Sequence, residues 1–176
     1  MIENKEIIIV APKKYKNQAR KLSHEISKKN MCNAAVWSIE QFEDNEFQLG
    51  GNRYAIFIGS PDENSLTKDF LPIIENLKNH EGICYGYNGT KAVVYGEGKL
   101  NQLEALKVAK KKTQENKIVA GAAGFAALFI APPILIGPAT FIAIRSKQKK
   151  LIKDQTKVAI TYFLGDTFNS WLTLEC

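Results

Sequence analysis

The sequence predicts a mixed α/β domain, a small sheet flanked by helices, followed by a C-terminal hydrophobic helical hairpin and a terminal helix. Three observations carry this expectation. Short apolar bursts rich in strand-favouring residues alternate with helical periodicities between residues 6 and 110. The pair Asn88-Gly89 stands between two such bursts, the pattern of a β-hairpin. An uncharged run, Ile118 to Ile144, is split by Pro132-Pro133 and bracketed on both sides by lysine and arginine.

The elements follow in order. Glu6 to Val10, with three isoleucines, reads as a buried strand ending at Ala11-Pro12. Lys14 to Lys29 places Tyr15, Ala19, Leu22 and Ile26 on one face of a helix. Ala34 to Ile39 and Tyr54 to Gly59 are short apolar strands, the second closed by Gly59-Ser60-Pro61. Ser65 to Lys78 keeps a helical period through Leu66, Phe70, Ile73, Ile74 and Leu77, with Pro72 either kinking the helix or marking its start. Ile83 to Tyr87 and Thr90 to Tyr95 pair around Asn88-Gly89 in an expected type I′ turn. A helix from Leu100 continues its apolar side with Leu103, Leu106 and Ala109. Lys149 to Leu174 again reads as helix, with Leu151, Ile152, Val158, Ala159, Tyr162, Phe163, Phe168 and Trp171 on a wide apolar side and a possible break at Gly165. The stretch KVAITYFL also suits a strand, and Tyr162 and Trp171 suit either a core or a lipid headgroup region. The expected order is β-α-β-β-α-β-β-α, divided into an α/β domain at 1–110 and a hydrophobic hairpin with its flanks and terminal helix at 111–176.

Residues 54–110, with YAIFIGSP, a helix, GICYGYNGTKAVVYGEG and a helix, resemble in layout the βαββα accessory domain at the N-terminus of some glycoside hydrolases. That resemblance implies a scaffold without catalytic residues. Residues 5–60, with IIIVAPKKY and AAVWSIEQFED before YAIFIGSP, are similar in layout to TIR-like and other flavodoxin-like signalling domains. No glutamate here matches the catalytic motif of that family.

The net charge of +6 is unevenly spread. Lys107 to Lys117 and Arg145 to Lys157 hold 11 cations against Glu115 and Asp154, a net of +9, which leaves −3 for the rest of the chain. A nucleic-acid-binding α/β domain would carry its basic footprint on its own face, so nucleic acid is not an expected partner. An anionic bilayer is, because it attracts a nearby Lys or Arg by about 1 kcal/mol each. The contacts to anionic lipid are assigned to Lys110, Lys111, Lys112, Lys117, Arg145, Lys147, Lys149 and Lys150. Cys32, Cys84 and Cys176 form no C-x-x-C motif and suggest neither a disulfide framework nor a zinc site. The opening MIENKEIIIV reads as a lead into a strand, not as a signal peptide. The expected setting is the cytoplasmic face of the cell membrane, or the cytoplasm.

Three arrangements compete for Ile118 to Ile144. Its arms, Ile118 to Ala131 and Pro133 to Ile144, would each be about 18 to 21 Å long at about 1.5 Å per residue, short of a hydrocarbon core about 30 Å thick. A single kinked span would put one basic flank on the wrong side, whereas a hairpin keeps both on the same side. The third arrangement is a helical hairpin buried in a soluble protein or an oligomer core. In the membrane hairpin the inserting residues are Phe125, Leu128, Phe129, Ile130, Pro132, Pro133, Ile134, Leu135 and Phe141. Ala120 with Gly124, and Ala123 with Ala127, are small pairs four residues apart that favour self-association.

Ligands of open α/β sheets collect beyond the carboxyl ends of the strands. There the sequence places Lys13, Lys14, Ser38, Glu40, Ser60 and Glu63, the candidates for binding a small polar ligand such as a nucleotide. Nothing in the sequence specifies a catalytic residue, a metal site or a cofactor. Neither His24 nor His80 has a second histidine at ligand spacing, and Gly59-Ser60-Pro61 lacks the G-x-S-x-G elbow. The expected role joins a sensing or interaction domain to an inserting, self-associating hairpin, in the manner of a bacterial stress or defence effector. The alternative is a soluble oligomeric enzyme or nucleotide-binding protein with the hairpin as its oligomer core.

Overall fold

Consecutive residues of an extended strand point to opposite faces, so a strand apolar at every position must be covered on both sides. The computed structural model, which describes residues 5–30, 32–45, 53–98 and 138–173, shows this arrangement. Strand β1 (Glu6–Val10) leads through a single 3₁₀ turn, Lys13–Tyr15, into α1 (Lys16–Asn30). Then come β2 (Asn33–Trp37), α2 (Ile39–Asn45), β3 (Arg53–Ile58) and α3 (Ser65–Phe70), which runs into a 3₁₀ turn at Leu71–Ile73. Strands β4 (Lys78–His80), β5 (Ile83–Asn88) and β6 (Lys91–Gly96) follow. The C-terminal part holds α4 (Pro138–Tyr162), one π-helical turn (Phe163–Thr167) and α5 (Phe168–Thr173).

The six strands form one mixed sheet in the order β2-β1-β3-β6-β5-β4. β1, β2, β3 and β6 run parallel, and β5 is antiparallel to both of its neighbours. Val10 lies opposite Trp37 on one side and Phe57 on the other, which sets the register of the three N-terminal strands. Alternation sorts the core. Ile7, Ile9, Ile56, Ile58 and Val94 face a layer containing Tyr15 of the 3₁₀ turn and Ala19, Leu22 and Ile26 of α1. Ile8, Val10, Phe57 and Val93 face the other layer, with Phe42 of α2 and Leu66 of α3.

Several local expectations change. Helix α2 is additional to the expected order: it buries Phe42 alone, whose ring meets Phe57 edge-on at 5.3 Å. Two apolar residues, Ile39 and Phe42, in seven positions are too few to show a period. The helix expected over Ser65 to Lys78 stops at Phe70, Pro72 sits in the following 3₁₀ turn, and Lys78–His80 is an exposed edge strand. The hairpin around Asn88-Gly89 forms one residue out of the expected register. Asn88 pairs with Lys91, so the two-residue loop is Gly89-Thr90, and only Gly89 has positive φ, at +53°. That is the pattern of a type II′ turn. The sign pattern of a type I′ turn occurs instead at Glu81-Gly82, with φ of +52° and +79°, between the paired residues His80 and Ile83. Asn88 uses its side chain to donate from Nδ2 to the Ile73 carbonyl at 2.6 Å.

The C-terminal turns pack into the core of the N-terminal sheet. Ala159, Ile160, Phe163, Phe168 and Trp171 belong to the same buried layer as α1. KVAITYFL is helical, and Gly165 lies in the π turn without ending the helix. Trp171 is 1% exposed, meets Tyr54 edge-on at 5.1 Å, and donates from Nε1 to the Gly89 carbonyl at 2.8 Å. It is a core residue. Residues 1–97 and 154–176 make one compact unit, and 98–153 make a second. Helix α4, described from Pro138 onward, continues unbroken through the basic strip from Arg145 to Lys157. What was expected as the end of a hairpin arm and the start of a terminal helix is therefore one helix. Phe141 lies within it. The predicted helix after Leu100, residues Phe125, Leu128, Phe129, Ile130, Pro132, Pro133, Ile134 and Leu135, and Lys110, Lys111, Lys112 and Lys117 lie outside the described residues.

Because the last turns complete the core, Trp171→Ala will destabilise the α/β unit by about 3–5 kcal/mol, read as a shift in the urea midpoint. Ending the chain at residue 153 will abolish cooperative unfolding by circular dichroism, whereas a core confined to residues 1–97 would leave it intact.

Candidate functional site

The strand order places β1 between β2 and β3, with α1 on one face of the sheet and α2 and α3 on the other. The carboxyl ends of β1 and β3 thus meet at the point where the winding reverses, the usual ligand crevice of open α/β sheets. Beyond β1 the chain turns through Pro12 and the 3₁₀ turn, which presents Lys14 and Tyr15. Beyond β3 it turns at Gly59, whose φ of +115° suits glycine and whose position touches Pro12, Tyr15 and Asn64. A β-turn follows, with the Ser60 carbonyl accepting from Glu63 N at 2.8 Å and from Asn64 N at 3.0 Å.

These two turns bring a carboxylate and three donors together. Glu63 accepts from Lys14 Nζ on Oε1, and on Oε2 from the Tyr15 hydroxyl at 2.9 Å and the Ser60 amide at 3.3 Å. The chain of donors extends further. The Thr156 hydroxyl donates to the Tyr15 oxygen at 3.5 Å, and Thr156 Oγ1 accepts from Gly96 N at 3.0 Å. These three bonds run one way, from Gly96 through Thr156 and Tyr15 to Glu63. Bonds in such a chain polarise one another in the same direction. Tyr15 and Thr156 are both fully buried. Burial pushes the Tyr15 hydroxyl above its ordinary pKa, partly offset by its bond to Thr156. Asn64, 1% exposed, braces the turn with both ends of its amide: Nδ2 donates to the Ile58 carbonyl at 3.0 Å and Oδ1 accepts from Leu66 N at 3.0 Å, capping α3.

Of the six residues placed at strand ends by the sequence, Lys14, Ser60 and Glu63 converge here. Lys13 is exposed at the start of the 3₁₀ turn. Ser38 and Glu40 stand beyond β2, on the side of β1 away from β3. Ser38 forms a capping box with Gln41, accepting from Gln41 N at 3.2 Å while its own N–H donates to Gln41 Oε1 at 2.9 Å. The Glu40 carboxyl is held below the usual range by its own backbone N–H and by the Ser38 hydroxyl. Thr156, Tyr15 and Asn64 were not among the residues singled out for binding. Thr156 lies within a basic strip, and its one sequence signal is its place on the helical stripe it shares with Ala159, Ile160 and Phe163.

A second concavity of about 680 Å³ lies between α1 and the end of α4. Leu22, Ile160 and Leu164 line it together with Lys21, Glu25 and Lys157, and Gln18 Oε1 is buried there without a hydrogen-bond partner among the described residues. No group of three or more His, Cys, Asp or Glu side chains able to hold a metal ion occurs among the described residues. Comparison with protein-family models, curated proteins and solved structures finds no match to this chain.

Three of the six tyrosines have hydroxyls raised above their ordinary pKa, each chiefly by burial: Tyr15, Tyr85 beside Asp166, and Tyr95 beside Cys84. A raised phenol favours the protonated folded state, so its contribution is complete below the unfolded value of about 10 and is lost as pH climbs from there toward the folded value. Spectrophotometric titration will show these phenolates forming above the ordinary tyrosine range, with falling stability above pH 10 that is less steep in Tyr95→Phe. Asn64→Ala will cost about 2–3 kcal/mol by removing a cap and orphaning the Ile58 carbonyl. Asn64→Asp, which keeps the cap but sets a buried carboxylate oxygen against the Ile58 carbonyl, will cost at least as much in the same denaturation assay.

Proposed function

We propose that this protein is membrane-associated, an α/β unit on the cytoplasmic face that holds both ends of a hydrophobic hairpin entering one leaflet and self-associating there. The observation that carries the reading is the hydrogen bond from Gly96 N to Thr156 Oγ1, 3.0 Å and buried. Residues 97–155 therefore leave and rejoin the α/β unit at one place. A chain segment whose ends meet crosses a bilayer an even number of times, which disfavours the single kinked span. Two crossings need two apolar arms of roughly 20 residues each, more than Ile118 to Ile144 supplies. A dip into one leaflet agrees with both the closure and the length.

Charge and exposure support the same reading. Arg145, Lys149, Lys150 and Lys153 are exposed along α4, and Ile142, one turn before Arg145, leaves an apolar side chain 66% exposed beside them. An apolar contact rimmed by cations suits the boundary between acyl chains and anionic headgroups. No helix among the described residues is long and apolar enough to cross a membrane. Coupling a soluble sensing domain to such an element is the arrangement of a membrane-acting effector, and a bacterial stress or defence role is the use we assign to it.

The second reading, a soluble oligomeric enzyme or nucleotide-binding protein with the hydrophobic run as its oligomer core, draws on the convergence of Lys14, Ser60 and Glu63 at the switch point. Flotation with lipid vesicles separates the two. The full chain will float with anionic vesicles and resist a carbonate wash, and Leu128→Lys with Phe129→Lys will abolish flotation. Replacing Arg145, Lys149 and Lys150 by glutamine will weaken binding to anionic vesicles by about 100-fold, from about 1 kcal/mol per cation, with little effect on neutral ones. A chain that stays with the supernatant as a discrete oligomer supports the second reading and overturns the first.

A further inference from the structure

The carboxylate of Glu63 sits in a cradle built for an anion. An ammonium, a phenolic hydroxyl and a backbone amide, from the ends of two adjacent parallel strands, all donate to it. The cradle lies at the point of the fold where ligands of open α/β sheets bind. The Lys14 side chain is 44% exposed, so a solute can approach the cradle from outside, while Glu63 is 14% exposed and fills its inner side. Apart from the Ser60 amide that donates to Glu63, the β-turn is held without this side chain, closed by Glu63 N and Asn64 N on the Ser60 carbonyl and braced by Asn64. The Glu63 side chain can swing out by rotating its own torsions while the turn stays in place.

From this arrangement we infer that Lys14, Tyr15 and the Ser60 amide form a binding site for a phosphate group, that Glu63 is its built-in competitor, and that displacing Glu63 loosens the closure at Thr156. A phosphate offers three terminal oxygens to three donors, where the carboxylate must take two of them on one oxygen. Displacement removes the acceptor of the Tyr15 hydroxyl. That hydroxyl then turns to the incoming phosphate, which turns the lone pair that the Thr156 hydroxyl meets on the same tyrosine oxygen. Thr156 is also the acceptor for Gly96 N, the bond that closes residues 97–155. The site thus operates on the root of the excursion. Its consequence at a bilayer rests on the membrane reading above, but the binding and the relay do not.

The test uses the full chain in solution without vesicles. Inorganic phosphate, and separately a water-soluble short-chain phosphatidic acid, are titrated by calorimetry while amide exchange at Gly96 is followed by NMR. Tighter binding of the first identifies a free phosphate as the natural partner class, and tighter binding of the second a lipid headgroup. The wild type will bind one of them. Glu63→Gln will bind it at least about tenfold tighter, a change of about 1.4 kcal/mol, because the competing charge is gone. Glu63→Asp, too short to reach all three donors at once, will fall between the two and guards against a folding defect in the first variant. Lys14→Gln will lose at least about tenfold in either background. Gly96 exchange will speed up on addition of the bound probe. Equal affinity in wild type and both Glu63 variants, or binding unchanged by Lys14→Gln, overturns the site. Binding as expected with unchanged Gly96 exchange overturns the relay. Failure of vesicle flotation with phosphate binding intact overturns the membrane reading and leaves this site standing.

Discussion

The structure depends on a single closure: the last strand of the sheet and the returning C-terminal helix meet at Gly96 and Thr156, and the inner face of the described turns beyond Thr156 packs into the core of the N-terminal unit. A buried amide without an acceptor costs about 1–3 kcal/mol, so Gly96 needs a partner where β6 ends. A threonine on the inner face of α4 supplies it. Around that point Ala159, Ile160, Phe163, Phe168 and Trp171 cover the sheet face that α1 alone leaves open. The terminal helix is therefore a structural necessity of the sheet. The long segment between residues 97 and 155 is an insertion into an otherwise continuous α/β unit.

This closure brings two properties of the molecule to one place. The polar cluster at the ends of β1 and β3 follows from winding order, since α1 and α3 leave the sheet on opposite faces and their first turns face each other across the crevice. The insertion starts at the end of β6, the strand paired with β3. Tyr15 bridges them because the turn after β1 carries its ring into the core and its hydroxyl to the junction of Glu63 and Thr156. A buried polar chain of this sort is tolerated because every member is paired, and it ties the position of a helix to the state of a carboxylate.

Much of the fold was legible in the residues because burial on two faces leaves a loud pattern. IIIV, YAIFI and AVVY are apolar at nearly every position, and Tyr15, Ala19, Leu22 and Ile26 keep a helical period that the structure buries in full. Elements with one buried residue were silent. Helix α2 has Phe42 alone, and β4 has none. The hairpin shows a subtler limit. Asn-Gly signals a turn, but Asn88 pairs with Lys91 and gives its side chain to Ile73, so the loop moves one residue along and the two-residue left-handed turn falls at Glu81-Gly82. Turn propensity names a neighbourhood; the register is settled by what the flanking strands pack against.

The site divides along the same line. That Lys14, Ser60 and Glu63 would stand at strand ends followed from strand boundaries alone, as it did for Ser38 and Glu40. Which of them share a crevice depends on β3, not β2, lying on the far side of β1 from α1's first crossover, a matter of sheet order to which local sequence is indifferent. Ser38 and Glu40 consequently cap a helix, while Lys14, Ser60 and Glu63 converge. Thr156 shows the same principle at greater distance: a threonine among lysines carries no local signal, and its meaning comes from Gly96 and Tyr15, 60 and 141 positions away in the chain. By itself the sequence determined the strands with buried faces, the first helix, the uncharged run and the basic flanks, because burial and charge are written position by position. Only the tertiary structure decided where the C-terminus belongs and which polar groups meet, because those depend on contacts between segments that are independent of one another until the sheet assembles.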